Sequence, residues 1–130
     1  LRILRMPLAG LTHEERAMLA LSVASRHSAL DGIVRRWKID RLLSAAKMAE
    51  ARAVGLAMRL AYTLTGGAIG LLEASRLERE GDRLMLVLPA HADILVGDVV
   101  ERRFRALAKS LNCDYQVLFV DDPAAQVAMA

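Results

Sequence analysis

Aromatic residues are scarce. Trp37, Tyr62, Phe104, Tyr115 and Phe119 are the whole set, 4% of 130 residues, so the core must be filled by Leu, Ala, Val and Met. The single cysteine, Cys113, excludes an internal disulfide and a cysteine-only zinc site, and reads as a small buried hydrophobe. No uncharged run reaches bilayer length: the longest, Leu60 to Leu72, is too short and holds three glycines. No signal-peptide pattern opens the chain, which begins Leu1-Arg2-Ile3 without an initiator Met and reads as a piece of a longer protein or a chain with its start missing. There is no H-E-x-x-H, no His-Asp dipeptide and no G-x-S-x-G. The run Gly66-Gly67-Ala68-Ile69-Gly70 lacks the lysine and hydroxyl of a phosphate-cradling loop and follows a helix instead of opening one, so it reads as a helix stop. His27 and Asp31, four apart, read as a solvated helix end with a nearby carboxylate in preference to a metal pair.

What is present is an apolar, ordered chain. Hydrophobic residues make up 55% and charged residues 25%, which excludes intrinsic disorder, and 130 residues suffice for one domain with a core. The net charge of +3 does not announce a nucleic-acid binder. It is unevenly spread: residues 1–60 hold 11 Lys+Arg against 5 Asp+Glu, and residues 61–130 hold 7 against 10. Any basic surface therefore belongs to the N-terminal half.

Thr12-His13-Glu14-Glu15 spells a capping box and predicts a helix over 12–28, ended by Leu30-Asp31-Gly32. Ile39, Leu42 and Leu43 suggest a short helix within 33–45. Residues 46–64 are apolar nearly all round, as in a helix central to its fold, with Arg52, Arg59 and Thr63 as a narrow polar stripe. Gly55 inside that helix costs up to about 1 kcal/mol relative to Ala, which a close helix crossing would justify. Beyond it, Ser75–Glu80 and Arg83–Leu88 flank Gly81-Asp82 as a β-hairpin, 93–111 is helical with Asn112 as its cap, and Tyr115, Val117 and Phe119 alternate in a third strand. The expected class is α+β, mainly α: a helical part over 1–72, a small β-β-α-β part over 73–122 and a tail over 123–130.

Two basic groups stand out. Arg35, Arg36 and Lys38 lead into Arg41, Lys47, Arg52 and Arg59, against only Asp40 and Glu50. Guanidinium forks match phosphate oxygens, so this group would line an anion channel; otherwise it is an ordinary solvated face. Arg52 and Arg59 share a helix face, and the absent side chain at Gly55 offers a gap through which a phosphate would approach the backbone. Arg102, Arg105 and Lys109 form a second polar face, with Glu101 and Asp98 as partners.

Leu8-Ala9-Gly10-Leu11-Thr12-His13-Glu14-Glu15-Arg16-Ala17-Met18-Leu19-Ala20-Leu21 resembles the C-terminal region of the exopolyphosphatase/guanosine pentaphosphate phosphohydrolase (Ppx/GppA) family. So do Gly55-Leu56-Ala57-Met58-Arg59-Leu60-Ala61-Tyr62, Thr65-Gly66-Gly67, Gly70-Leu71-Leu72 and Val99 through Lys109, in the right order over nearly the whole chain. Ile69 stands where the family often carries proline. The resemblance implies an HD-like helical part with a small α/β appendage. It implies a bacterial, cytoplasmic parent enzyme that hydrolyses terminal phosphates of polyphosphate or guanosine pentaphosphate with Mg²⁺. The chemistry would sit in an N-terminal actin-like module of the same chain, while the present residues extend the substrate channel and support a homodimer. No catalytic residue, metal site or cofactor is expected here, since an active HD site needs the His-Asp pair that is missing. Arg35, Arg36, Lys38, Arg52 and Arg59 are the candidate polyanion-binding residues. No membrane or nucleic-acid partner is expected. The other readings are a stand-alone regulatory or protein-interaction domain and, ranked last, an RNA-binding module using Tyr115 and Phe119.

Overall fold

The capping box forms as its residues predict. The backbone N–H of Thr12 donates to Glu15 Oε2 at 2.7 Å and the Glu15 N–H donates to the Thr12 hydroxyl at 3.2 Å. Helix α1 (His13–Arg26) starts there. The structure, a computed structural model, describes residues 2–27, 30–66 and 69–121; the expected tail over 123–130 lies outside them. The chain divides into two compact units, residues 1–59 and 60–130.

In the first unit a 3-10 helix (Arg2–Arg5) packs on α1, which is followed by α2 (Leu30–Trp37), a 3-10 turn (Ile39–Arg41) and most of the long α3 (Ala45–Thr65), whose last turns belong to the second unit. Leu30-Asp31-Gly32 thus opens a helix and does not stop one. Val34 and Trp37, three apart on α2, pack against the core of Ala17, Leu21, Ile39, Leu43 and Ala51, and that burial outweighs the turn preference of Asp-Gly. Lys38, at φ +49°, separates α2 from the 3-10 turn, so the short helix suggested by Ile39, Leu42 and Leu43 is a single 3-10 turn, and Ile39 and Leu43 are buried while Leu42 is exposed.

Helix α3 meets α1 very closely at Gly55. A Cβ there would collide with the Ser22 carbonyl oxygen and the Ser25 Cβ. The facing serines keep their buried hydroxyls satisfied within α1, Ser22 donating to the Met18 carbonyl at 3.0 Å and Ser25 to the Leu21 carbonyl at 2.7 Å. Burial along α3 is local, however, and not all-round: Ala51 and Gly55 are buried, whereas Val54, Met58 and Tyr62, at four-residue steps, are exposed.

In the second unit Gly66, at φ +58°, sits just past the end of α3 and its N–H donates to the Tyr62 carbonyl. A short α4 (Ile69–Glu73) precedes the sheet. Strands β1 (Arg76–Glu80) and β2 (Arg83–Pro89) form the predicted hairpin, with Gly81 at φ +57°. Strand β3 (Asp114–Val120) runs parallel to β2, giving the order β1-β2-β3. The expected 93–111 helix begins later: a 3-10 helix (Ala90–Leu95) comes first, and α5 (Asp98–Ser110) starts after Gly97. An extended N-cap at Gly97, with Asp98 and Glu101 in the positive first turn, sets that start. Val100, Phe104, Leu107 and Ala108 are buried, while Val99 is exposed. Asn112 caps the helix at φ +53°.

The cap supplies a first test. Thr12→Ala should cost about 1 kcal/mol of first-unit stability in urea melts. The Glu15 carboxyl is held below its ordinary value by the Thr12 backbone N–H and then by the Thr12 hydroxyl. Its contribution is therefore complete above the ordinary Glu range and is lost as pH falls through the lowered folded value. Melts of Glu15→Gln between pH 3 and 7 should lack that component.

Candidate functional site

Residues three apart in a 3-10 helix eclipse one another, so Arg2 and Arg5 share one side of the first segment. Leu4 between them packs into the first unit's core, and Trp37 packs into the same core from the end of α2. The two anchors bring Arg2 and Arg5 beside Arg36, in the last turn of α2. The three arginines and Trp37 line a pocket of about 420 Å³. The Arg5 guanidinium carbon lies 5.1 Å from the Trp37 ring centroid, a cation–π contact. Among the described residues that line this pocket there is no carboxylate. Guanidinium forks are matched in shape to phosphate-type oxyanions, which accept paired hydrogen bonds.

Only Arg36 of the five sequence-derived candidates lines that pocket. Arg35 neighbours it in sequence and is exposed, as is Lys38 in its left-handed conformation. Arg52 and Arg59 are half-buried on α3, three residues before and four after Gly55, and so flank the helix crossing. The gap expected at Gly55 does not exist: the backbone and side chain of α1 fill it, and a phosphate has no path to the α3 backbone there. Lys47 of the same basic group is engaged elsewhere, 2.6 Å from Glu14 at the start of α1.

Arg2 and Arg5 escaped the sequence reading because some thirty residues separate them from the basic run. The available signal was the three-residue spacing around an apolar Leu4, ambiguous until the 3-10 geometry eclipsed the pair.

The second unit distributes its charge differently. Arg105 Nη2 pairs with Glu101 at 3.0 Å, and its Nε donates to the Tyr115 hydroxyl at 2.8 Å, which in turn donates to Glu101 at 3.2 Å. The hydrogen bond to Tyr115, and then Glu101, raise the Arg105 pKa further. Tyr115 also meets Phe104 edge-to-face at 5.6 Å. It is therefore half-buried and already partnered, unlike the exposed stacking platform that the RNA-binding reading requires, and leaves only Phe119 exposed on β3 among the two proposed aromatics. A second pocket, lined by Arg105 and Lys109, also carries Asp82 and Asp114, so its field is mixed.

No group of three His, Cys, Asp or Glu among the described residues is arranged to hold a metal. His27 is the exposed C-cap of α1, and the side chain of Asp31 lies outside the described residues. Among the described residues no helix is long and apolar enough to cross a membrane.

Compared with known proteins, residues 3–120 match a family model described as "Exopolyphosphatase, C-terminal". A search of curated proteins found no match.

Proposed function

Because the chain belongs to the exopolyphosphatase C-terminal family, we propose that it is the non-catalytic, polyanion-holding domain of a phosphatase acting on inorganic polyphosphate, with guanosine pentaphosphate as the alternative substrate. The observation that carries this reading is the convergence of Arg2, Arg5 and Arg36 on one pocket, in the half of the chain that holds 11 basic against 5 acidic residues. Arg35, Lys38, Arg52 and Arg59 extend the same positive field. Hydrolysis, and the Mg²⁺ it uses, belong in this reading to an actin-like catalytic module of the parent enzyme. Among the described residues no three His, Cys, Asp or Glu are grouped to hold a metal, and this reading routes no step through one in this domain.

A polyanion held along such a surface reaches the catalytic module as a tethered substrate, at high effective concentration and without any chemistry in the holding domain. The proposal includes a homodimer, for which the exposed Val54 and Met58 of α3 offer apolar surface. Light scattering should show self-association that Met58→Lys weakens; a strict monomer at high concentration would remove the dimer.

The test of the main reading is a comparison of arginine pairs. Arg35→Ala with Arg36→Ala should weaken polyphosphate binding by tenfold or more. Arg102→Ala with Arg105→Ala should change it little, because Glu101 already pairs with Arg105. Equal losses would mean that net charge alone is being read, and the channel role would then be dropped.

A further inference from the structure

We infer that the second pocket, at the C-terminal end of α5, binds a diamino acid: a small zwitterion with one carboxylate and two ammonium groups. The site lies wholly in the second unit. It does not rest on the proposed function, and no phosphate takes part in it.

Opposite charges line this pocket from two parts of the fold. Arg105 and Lys109, four apart on one face of α5, supply its cations. Asp82, in the turn between β1 and β2, and Asp114, the first residue of β3, supply its carboxylates. The Asp114 N–H donates to the Asp82 carbonyl at 2.7 Å, so the backbone places the two acids together. The pocket measures about 430 Å³, room for more than ten waters at about 30 Å³ each, and an amino acid with a linear side chain fits that space.

The charges do not pair across the pocket. Among the described residues Lys109, Asp82 and Asp114 make no ion pair, although they line one hollow. Arg105 is held by Glu101 at 3.0 Å and by the Tyr115 hydroxyl at 2.8 Å, and does not reach the two aspartates. With Glu101 included, two cations meet three carboxylates, an excess of one negative charge. The adjoining hollow shares Asp82 and Asp114 and adds Glu80 and Arg83, which offset each other.

That pattern selects the ligand class. A ligand of one sign is drawn to one set of groups and repelled by the other. A zwitterion with one charge of each sign matches both sets and leaves the excess uncompensated. One carboxylate with two ammonium groups matches both sets and the excess together. The carboxylate belongs at Lys109 and at Nη1 of Arg105, the guanidinium nitrogen that Glu101 and Tyr115 do not engage. The ammonium groups belong at Asp82 and Asp114. These two aspartates and Lys109 are exposed, so neutralising any of them leaves the core intact.

Calorimetric titration of the 130-residue chain with L-lysine should give saturable binding. Lys109→Gln, Asp82→Asn and Asp114→Asn should each raise the Kd about tenfold, the loss of one charge-assisted hydrogen bond. Arg102→Gln, exposed on the same helix and outside the pocket, should leave it unchanged. Cadaverine lacks the carboxylate and ε-aminocaproate lacks the α-ammonium; each should bind more weakly than lysine by about tenfold or more. Tripolyphosphate at matched ionic strength should not displace lysine. Titration without saturation, an unaltered Kd in Lys109→Gln or Asp82→Asn, or an equal loss in Arg102→Gln would each overturn the site. Cadaverine or ε-aminocaproate binding as tightly as lysine, or displacement by tripolyphosphate, would overturn the diamino acid as its ligand.

Discussion

Gly55→Ala should destabilise the first unit by about 2 kcal/mol. At an ordinary helix-interior position the same change stabilises, because alanine is better than glycine there by up to about 1 kcal/mol. Here the new methyl meets the Ser22 carbonyl oxygen and the Ser25 Cβ, and the Arg26 backbone nitrogen lies 3.0 Å away. Backbone atoms do not rotate aside as a flexible side chain does, so α1 and α3 must separate. Overpacking of this kind costs about 1–3 kcal/mol, which outweighs the propensity gain. Trp37, packed against the same unit's core, supplies the fluorescence readout for the melt. Gly70 in α4 is the control, since nothing lies within 4 Å of a Cβ built there. Gly70→Ala should be neutral or stabilising by about 0.5–1 kcal/mol. If Gly55→Ala behaves as Gly70→Ala does, the close helix crossing is wrong.

That crossing was legible in the sequence, and its partner was not. A glycine inside a long apolar helix implies something close by, and the structure names it as Ser22 and Ser25. The capping box at Thr12 and Glu15, the Gly81-Asp82 hairpin and the Asn112 cap were equally legible, because each depends on residues within a few positions of one another. The errors share one cause. Asp31-Gly32 looks like a helix stop locally, but Val34 and Trp37 on the same segment are needed in the core, and packing keeps α2 helical. Leu42 and Val99 fit an apolar period and yet face solvent, because periodicity marks a stripe without saying how wide its cover is. The site was half legible for the same reason. Arg36 belongs to a visible basic run, while Arg2 and Arg5 join it only through the core contacts of Leu4 and Trp37.

Polyphosphate binding should be strongly salt-dependent. A flexible polyanion releases its condensed counterions as cations replace them, with a slope near −0.7 in log–log terms for each phosphate contact on a single strand. Five contacts, one from each of Arg35, Arg36, Lys38, Arg52 and Arg59, give a slope of about −3.5. Raising salt from about 50 to about 200 mM should then weaken binding roughly a hundredfold. Engagement of Arg2 and Arg5 would steepen it. Removing one contacting arginine should lower the slope by about 0.7. Removing Arg105 should leave the slope where it was, since Glu101 and Tyr115 hold that side chain. A shallow slope with high affinity would mean that the basic residues are a solvated face and that other contacts hold the chain.

The most direct measurement follows polyphosphate binding and phosphate release together, in the same samples of the 130-residue chain, at low salt with Mg²⁺ present. The account predicts saturable binding and no release above the protein-free rate, because phosphoryl transfer needs a metal-bridged substrate and a positioned water that no carboxylate cluster among the described residues is placed to provide. Absence of binding would contradict the polyanion-holding role. Phosphate release that follows the protein peak through purification would contradict the assignment of a non-catalytic domain.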